Sequence, residues 1–498
     1  MTNFNSADIR NVALVSHVGT GKTSLAEAML FNAGQNTRLG KVDNETSLLD
    51  YEPEEIKRRT TISTSLANFD WKGKRINLLD TPGSPNFAAD TISSMQGVDS
   101  IVLVIDAIDG IRIQSSKFLK QAKELGLSVV VFINKLEREN ANYKKVLEDI
   151  KGSFEGTPVP VQLPIGQEMS FKGIVNLIEN KGYIFEHDES GKFAEVEVPA
   201  DMQDDVSSTR EASIESIVEC DDEILEKYLE GQDLAAEDIN KALRAGVVSG
   251  QVVPVLFGAA TKNIGVSHLL DMITNYLPSP LEKQPVKAKT PQGQDVEIKP
   301  VENDPLAALV FKTIADPYAG QLNLMRIFSG KMASDSGVLN SSTGEKERIG
   351  QVLHLVGKKH DPATEAITGD IVAVAKLKDT HTGNTLCDER RPVTIEPVKQ
   401  PSPVISFAIK PKSKGDEDKI QSGLRRLMEE DPTLVSSRDP QTKEMILSGM
   451  GQVHLDVAIE KLKRKFGVEV LLDTPKIPYK ETINGSTKVL GKYKKQSG

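Results

Sequence analysis

The 498-residue chain has few cysteines, few aromatic residues and no long apolar run. Its two cysteines, Cys220 and Cys387, lie far apart, which argues against a disulfide framework or a zinc site and fits a reducing cytoplasm. The seven histidines show no metal-ligand spacing. Since no apolar run reaches about eighteen residues, we expect no transmembrane helix. The polar start also lacks the apolar core of a signal peptide.

Acidic residues outnumber basic ones, and the net charge of −10 at first argues against an RNA partner. The distribution of charge changes this interpretation. Residues 186–238 contain 19 acidic and 3 basic residues, a net of −16, so the rest of the chain carries +6. A surface that repels phosphate and one that tolerates it can coexist on one protein. Taken alone, the acidic stretch indicates a solvated face.

Short β-branched runs alternate with helical segments through the first 135 residues. The runs are nearly continuously apolar, as in strands buried on both faces of a parallel sheet; they cover residues 11–16, 75–80, 100–106 and 128–134. A hairpin is predicted at Lys72-Gly73-Lys74. The pattern becomes irregular and acidic after Pro158, with a helix predicted at Asp222–Leu229, and returns to strand, loop and helix at Pro254–Ile273. We therefore expect an insertion at about 158–252.

Beyond a linker that contains proline and lysine, the pattern changes twice. Strand-like runs with glycine turns fill residues 305–395 and predict a β-barrel. A strand, a helix, a hairpin and a second helix from Pro403 predict an α+β sandwich. The sequence thus predicts a multidomain α/β protein, with domains at 1–283, 284–399 and 400–475 and a short final segment at 476–498.

A predicted strand, a glycine-rich loop and a helix follow one another near the start of the chain. The loop ends in Gly21-Lys22-Thr23, as in phosphate-binding loops, whose backbone N–H groups surround phosphate oxygens. Lys22 would reach the β- and γ-phosphates and Thr23 would bind magnesium. Ser16 stands where the usual pattern has its first glycine. The predicted nucleotide contacts are His17, Val18, Gly19, Thr20, Gly21, Lys22, Thr23 and Ser24.

Three further loops follow predicted strands and would meet the phosphate loop at the carboxyl edge of the sheet, where ligands bind in open α/β folds. Asp80 would hold magnesium through a water, and the Gly83 N–H would meet a γ-phosphate. Asn134 and Lys135 would frame a purine base. A backbone N–H at Ala259-Ala260 would donate to a guanine carbonyl.

The chain resembles elongation factor G, the translocase GTPase of bacterial translation, over nearly its whole length. The similar segments occur in family order: FDWKGKRINLLDTPG, IDAIDGI, PVLFGAATKNIGV, LKDTHTGNTLCD and SGMGQVHLDVAIEKLKRKFGVEV. The resemblance implies a P-loop GTPase domain with an α+β insertion, then a β-barrel and an α+β sandwich. Residues 476–498 resemble the first strands of the family's fourth, tip domain. The remainder of that domain and a last domain would be expected beyond Gly498.

The resemblance also implies roles for particular residues. Residues 50–62 resemble the first switch, in which Thr61 would bind magnesium. The implied catalytic residues are Lys22, Thr61, Gly83 and Ser84; the implied metal ligands are Thr23, Thr61 and Asp80. The implied ligands are GTP or GDP and Mg²⁺. The acidic insertion resembles the subdomain that meets the ribosomal stalk protein. Ribosomal RNA would be a second partner, and we expect a cytoplasmic monomer with no membrane or DNA partner.

Four positions depart from the family pattern. Ser84 replaces the histidine that positions the attacking water, and Thr60 replaces the apolar residue that faces Val18 in a gate. Gly19 replaces an aspartate of the phosphate loop. Glu137 replaces the aspartate that reads guanine, and its longer carboxylate can still accept from both guanine N–H groups. Because Ser84 and Thr60 belong to one mechanism, we expect weakened hydrolysis; the alternative is that each change is tolerated.

The sequence therefore favours a GTP-binding, GTP-hydrolysing translation factor of the translocation class that acts on the ribosome. Two alternatives stay open at this point. One is a nucleotide-gated ribosome-binding protein with little hydrolysis. The other is a ribosomal protection protein, whose distinguishing loops would lie in the tip domain.

Overall fold

A mostly parallel sheet forms the centre of the first region in the computed structural model, which describes residues 4–316, 320–413 and 415–494. The elements of this region before the insertion are β1 (Ile9–Val15), α1 (Lys22–Asn32), α2 (Pro53–Arg58), β2 (Ser65–Trp71), β3 (Lys74–Asp80), α3 (Ala88–Met95), β4 (Ser100–Asp106), α4 (Ile113–Glu124), β5 (Ser128–Asn134), α5 (Tyr143–Ile150) and β6 (Thr157–Pro160).

The segment predicted as an insertion contains a small sheet and three helices. Its elements are β7 (Gln162–Ile165), β8 (Gly173–Asn176), β9 (Lys181–Phe185), β10 (Phe193–Val196), α6 (Gln203–Val218), α7 (Asp222–Leu229) and α8 (Ala236–Ser249). The chain then returns to the main sheet through β11 (Val252–Phe257) and α9 (Val266–Tyr276). The small sheet has the antiparallel order β10-β9-β8-β7. Strands of four or five residues give weak periodicity, which is why the sequence pattern here is irregular.

The main sheet has the order β2-β3-β1-β4-β5-β11-β6, in which only β2 runs antiparallel to its neighbour. Trp71 pairs with Lys74, which confirms the hairpin predicted there. Alternate residues of β1 enter two different cores. One core packs against α1, α6, α8 and α9, and the other against α3, α4 and α5. The sheet is therefore covered on both faces, as its nearly continuous apolar strands require.

The second region is β-rich, as predicted. Its strands are β12 (Val286–Lys289), β13 (Asp295–Ile298), β14 (Ala307–Asp316), β15 (Gly320–Ser329), β16 (Met332–Ala333), β17 (Gly337–Asn340), β18 (Lys346–Arg348), β19 (Val352–Val356), β20 (Lys359–Ala363), β21 (Glu365–Ala366), β22 (Ile371–Ala375), β23 (Thr385–Cys387) and β24 (Thr394–Ile395). An antiparallel ladder runs β18-β17-β23-β14-β15-β22-β19, and β13-β12-β24 form a separate sheet. Buried aliphatic side chains such as Val310, Met325 and Val372 fill the core of this region.

The third region has two helices packed on a four-stranded sheet. Its elements are β25 (Ile405–Pro411), α10 (Glu417–Glu430), β26 (Val435–Arg438), β27 (Met445–Gly449), α11 (Gln452–Phe466) and β28 (Val470–Asp473). Residues 474–494 carry no helix or strand, and residues 495–498 lie outside the described part of the chain. The strands expected at 476–498 therefore stay a prediction. Among the described helices, none combines the length and apolar character that crossing a bilayer requires.

A buried ion pair joins the first region to the second. Both Asp99 oxygens accept from Arg326 Nη2, at 3.0 and 2.9 Å, and Arg326 Nη1 donates to the Gly97 carbonyl. Asn11 Nδ2 donates to Asp99 Oδ2 at 2.7 Å. Both charged side chains are almost fully buried. Because the charges are desolvated, each depends on the other for compensation.

We predict that Arg326→Met destabilises the chain by about 3–5 kcal/mol, because Asp99 would stay buried without its counter-charge. The matched control is Lys346→Met, since the pair of Lys346 with Glu389 is largely exposed. This control should cost at most about 1 kcal/mol. Urea unfolding followed by circular dichroism measures both. Equal stabilities of the two variants would contradict the prediction.

Candidate nucleotide site

The phosphate loop depends on two glycines in the left-handed region of backbone space. Gly19 has φ of 85° and Gly21 has φ of 91°. A Cβ added to Gly21 would lie 2.5 Å from Asn134 Nδ2, so this position excludes a side chain on steric grounds as well. Helix α1 begins directly after Gly21, and its first backbone N–H groups lie in this loop. The loop thus has the backbone of an anion site at a helix N-terminus.

Lys22 is buried and folds back onto the loop. Its Nζ donates to the carbonyls of His17 at 2.9 Å and Ser16 at 3.3 Å. Burial lowers the pKa of Lys22 to about 8, while the carboxylates of Asp80 and Asp50 oppose that shift. These carboxylates favour a charged ammonium beneath the loop, where an anionic ligand would compensate it.

Two threonine hydroxyls meet beside this lysine. Thr23 Oγ1 and Thr61 Oγ1 are 2.8 Å apart, which brings the segment predicted as the first switch against the start of α1. Asp80 is fully buried, and neither of its carboxylate oxygens has a hydrogen-bond partner. Asp50 is also buried and has one unpartnered oxygen. Burial raises the pKa of each carboxyl to about 7.

This oxygen-rich cluster fits a magnesium ion. Magnesium prefers hard oxygen ligands and is commonly held by one or two protein groups together with waters and phosphates. The unpartnered oxygens of Asp80 and Asp50 would be satisfied by such a hydrated ion. No group of three or more His, Cys, Asp or Glu side chains in the described ranges could hold a metal on its own. The sequence interpretation missed Asp50, whose only signal was its place at the start of the switch segment.

Gly83 lies directly against the phosphate loop. A Cβ there would lie 2.4 Å from Lys22 Nζ and 2.6 Å from the Val18 nitrogen. The hydroxyl of the next residue, Ser84, is already hydrogen-bonded within the chain. Ser84 Oγ accepts from the Asn86 backbone N–H at 3.3 Å and from Asn86 Nδ2 at 3.2 Å. Ser84 therefore caps the short 3₁₀ turn at Pro85–Phe87.

The remaining predicted loop residues lie around these groups. His17 has a buried Nδ1 without a partner, and burial lowers its pKa. Thr20 Oγ1 donates to the His17 carbonyl at 3.2 Å. Val18 is 36% exposed. Thr60, the residue predicted to face it, has a hydroxyl that donates to the Arg58 carbonyl at 3.2 Å.

Asn134 connects the phosphate loop to the loop after β11. Its Nδ2 donates to the Thr20 carbonyl and its Oδ1 accepts from the Ala260 N–H, each at 2.9 Å. Lys135 Nζ donates to the Gly19 carbonyl at 2.6 Å and to Asp106 Oδ2 at 2.7 Å. The loops after β1, β5 and β11 are thus tied together at one edge of the sheet.

The backbone donors expected at Ala259 and Ala260 are engaged within the chain. The Ala259 N–H donates to the Ile264 carbonyl at 3.1 Å, and the Ala260 N–H donates to Asn134. Glu137 lies beside this loop, and its Oε1 accepts from Thr261 Oγ1 at 3.0 Å. The sequence interpretation missed Thr261, since its hydroxyl is informative only once the two loops are adjacent.

Comparisons with known proteins agree with this geometry. Family models match the Elongation factor Tu GTP binding domain at residues 7–279, Elongation factor G domain 2 at 305–389 and Elongation Factor G domain III at 400–474. The chain is 39% identical over 491 residues to elongation factor G of Thermotoga petrophila and of Thermotoga maritima, covering 98% of this chain and 71% of each relative. The chain belongs to the elongation factor G family. A crystal structure of a protein from Thermus thermophilus matches with TM-score 0.85 and 32% identity, covering 95% of this chain and 68% of that one.

Membership of the elongation factor G family confirms several predictions. The chain is a guanine-nucleotide-binding GTPase of translation with a multidomain α/β fold, in which β-rich regions follow the GTPase domain. The two alternatives, a binding protein with little hydrolysis and a ribosomal protection protein, are not favoured by these matches.

In this elongation factor G-family protein, the third region contacts the segment predicted as the first switch and the segment that follows Gly83. Asn86, which is hydrogen-bonded to Ser84, packs closely against Gly451. A Cβ added to Gly451 would lie only 2.0 Å from Asn86 Oδ1. The Phe87 ring meets the His454 ring edge-on, with centroids 5.9 Å apart. Ile62 and Val457 complete an apolar cluster with Phe87. The Gly449-Met450-Gly451 segment therefore borders the segment that follows Gly83.

Ion pairs extend this contact along α2 and α11. Arg464 Nε and Nη2 donate to the two oxygens of Glu54 at 2.8 and 2.9 Å, and Arg464 also pairs with Glu52. Burial opposes ionisation of Glu54, but the Arg464 hydrogen bonds hold its pKa below the usual range. A second set of ion pairs has the acid on α11 and the bases on α2: Glu460 pairs with Lys57 and Arg58.

We predict that Arg464→Ala loosens the first switch, because it leaves the buried Glu54 carboxylate without its bidentate partner. Amide hydrogen exchange of residues 53–62 should become faster by about tenfold or more, which corresponds to at least about 1.4 kcal/mol of local opening free energy. The control is Arg425→Ala on α10, where the side chain is 82% exposed. Unchanged exchange in Arg464→Ala would show that the ion pairs do not hold α2.

Proposed function

We propose that this chain is a translocation-class factor that acts on the ribosome and whose cycle is driven by GTP hydrolysis. The observation that supports it best is the meeting of the loops after β1, β3, β5 and β11 at one sheet edge. Lys22, Asp80 and Asn134 are buried there. Lys22 donates to carbonyls of its own loop, and Asn134 bonds to the loops after β1 and β11. Ligands of open α/β folds bind at this edge.

The proposed phosphate chemistry uses groups that lie around Lys22. Lys22 would neutralise the β- and γ-phosphates, and the Gly83 N–H would donate to the γ-phosphate. Thr23, Thr61 and Asp80 would hold Mg²⁺, with Asp50 accepting from its waters. When bound, the ion would neutralise charge that develops on the phosphates. His17, Val18, Gly19, Thr20, Gly21 and Ser24 would complete the cradle.

The proposed base site lies next to the phosphate cradle. Asn134 and Lys135 would frame the guanine, with the lysine stem packing on its face. Glu137 would accept from the two guanine N–H groups, since it has an oxygen without a partner. The Ala260 N–H would exchange its bond to Asn134 for the guanine carbonyl, and Ala259 would hold the loop.

The proposed ribosomal contacts follow from charge and domain order. We divide the chain into a GTPase domain (1–283), a β-barrel domain (284–399), an α+β domain (400–475) and the start of a fourth domain (476–498). The mildly basic regions outside 186–238 would face ribosomal RNA, so binding should weaken with salt. The acidic insertion would meet the stalk protein. The protein would act as a monomer in the cytoplasm, with no membrane or DNA partner.

Phosphate release from GTP, with and without ribosomes, tests this function. Ribosomes are expected to accelerate release by the chain, because the catalytic constellation would be completed on that partner. A rate that is the same in their presence and absence would contradict a ribosome-stimulated factor.

The acidic helices of the insertion yield a prediction about the stalk protein. Glu211 and Glu215 are exposed on α6, whereas Ile214 and Ile217 on the same helix enter the core. Deleting the acidic segment would also remove these core residues, so substitution of the exposed acids is the cleaner test. Glu211→Gln with Glu215→Gln should weaken binding of purified stalk protein, chiefly by slowing association. The control replaces two exposed acids of the β-rich region, Glu345 and Glu365, with glutamine. Equal affinities of the two double variants would refute the assignment.

Ser84 yields a prediction about hydrolysis. A residue that positions the attacking water is typically worth on the order of 10²–10⁴ in rate, and the Ser84 hydroxyl is engaged in a cap. Ser84→His with Thr60→Ile should therefore raise ribosome-stimulated phosphate release markedly. Ser84→Ala is the control and should leave the rate nearly unchanged. If Ser84→Ala abolishes hydrolysis, or if the double variant gains nothing, Ser84 itself holds the water.

A further inference from the structure

The carboxylate of Glu137 is held at one end only. Its Oε1 accepts from Thr261 Oγ1 at 3.0 Å, and Arg138 Nε lies 3.7 Å from the same oxygen. Its Oε2 is shielded from solvent and has no hydrogen-bond partner. An unpartnered buried carboxylate oxygen is costly, and the cost is removed when a ligand supplies a donor.

Thr261 is well placed to orient that carboxylate because its loop is held by hydrogen bonds to its own backbone and to α1. It lies in a 3₁₀ turn, Ala260–Lys262, in which the Asn263 N–H donates to the Ala260 carbonyl at 3.1 Å. Asn263 is fully buried, and its side-chain amide exchanges two hydrogen bonds with Asn32 of α1, at 2.9 and 2.8 Å. The hydroxyl of Thr261 is thereby anchored to the helix that follows the phosphate loop.

A glutamate needs such an anchor more than an aspartate would. Its extra methylene adds a rotatable bond, and the terminal torsion of a glutamate is broad. A free Glu137 carboxylate would lose more conformational entropy on binding a base than a shorter side chain would. A hydroxyl that already orients one oxygen reduces that loss, as preorganisation does in binding generally.

We propose that Thr261 is a positioning residue for guanine selectivity: it orients the Glu137 carboxylate so that Oε2 meets the base. Oε1 keeps a second acceptor position. The carboxylate can therefore accept from both the N1–H and the 2-amino group of guanine while it stays bonded to Thr261. This inference rests on the proposed role of Glu137 as the base-reading carboxylate.

The test compares Thr261→Val, which removes the hydroxyl at constant shape, with Thr261→Ser, which keeps it. Affinities for GDP, for inosine diphosphate, which lacks the 2-amino group, and for ADP are measured by competition with a labelled guanine nucleotide. Thr261→Val should weaken GDP binding by about three- to tenfold, the worth of one hydrogen bond. The preference for GDP over inosine diphosphate should shrink, ADP binding should not change, and Thr261→Ser should resemble the wild type. In a Glu137→Ala background, Thr261→Val should have no further effect.

The outcomes separate this inference from the function on which it rests. If the wild type binds GDP and ADP equally, the guanine site itself is wrong. If the wild type prefers GDP and Thr261→Val leaves the preference intact, only the role of Thr261 is overturned. An equal loss for all three nucleotides in Thr261→Val, or a further loss in the Glu137→Ala background, would show that Thr261 merely supports the loop.

Discussion

The charge buried beneath the phosphate loop is the constraint on which the rest of the site depends. The Lys22 ammonium and the carboxylates of Asp80 and Asp50 are all removed from water, and oxygens of both acids lack hydrogen-bond partners. Burial brings the pKa of Lys22 down to about 8 and raises that of each carboxyl to about 7, because desolvation makes each charged form less favourable than it is in water. A nucleotide phosphate for the lysine and a hard cation for the acids would compensate both.

The segment that contains Thr61 is connected to the third region through α2. The hydroxyl oxygens of Thr61 and Thr23 are 2.8 Å apart. The residues that follow Thr61 are held by Glu55, whose Oε1 accepts from the N–H groups of Ile62 and Ser63, each at 3.0 Å. Glu55 is on α2, and Arg464 of α11 forms a bidentate ion pair with Glu54 of the same helix. A displacement of α11 would therefore act on Thr61 through one short helix.

Much of this architecture could be predicted from sequence, because its signals are local. The apolar strands, the hairpin at Lys72-Gly73 and the helix after Gly21 each follow from a short pattern of residues. The strands β7 to β10 were not predicted individually, because four or five residues show too little alternation of apolar and polar side chains. Asp50 and Thr261 were missed because an unpartnered oxygen or an orienting hydroxyl exists only after distant loops meet. Ser84 is a different case. Its residue type alone suggested the loss of a water-positioning group, and the structure adds that its hydroxyl caps the short 3₁₀ turn at Pro85–Phe87.

The family match fixes the kind of nucleotide, whereas the residue roles depend on the position of Lys22. The most direct measurement is the affinity of GDP for Lys22→Ala beside Lys120→Ala, which removes the same charge from an exposed face of α4. The account predicts a loss of at least about a hundredfold for Lys22→Ala, since a buried charged contact to phosphate disappears, and an unchanged affinity for Lys120→Ala. Equal GDP affinities in the two variants would contradict the placement of the phosphates beside Lys22.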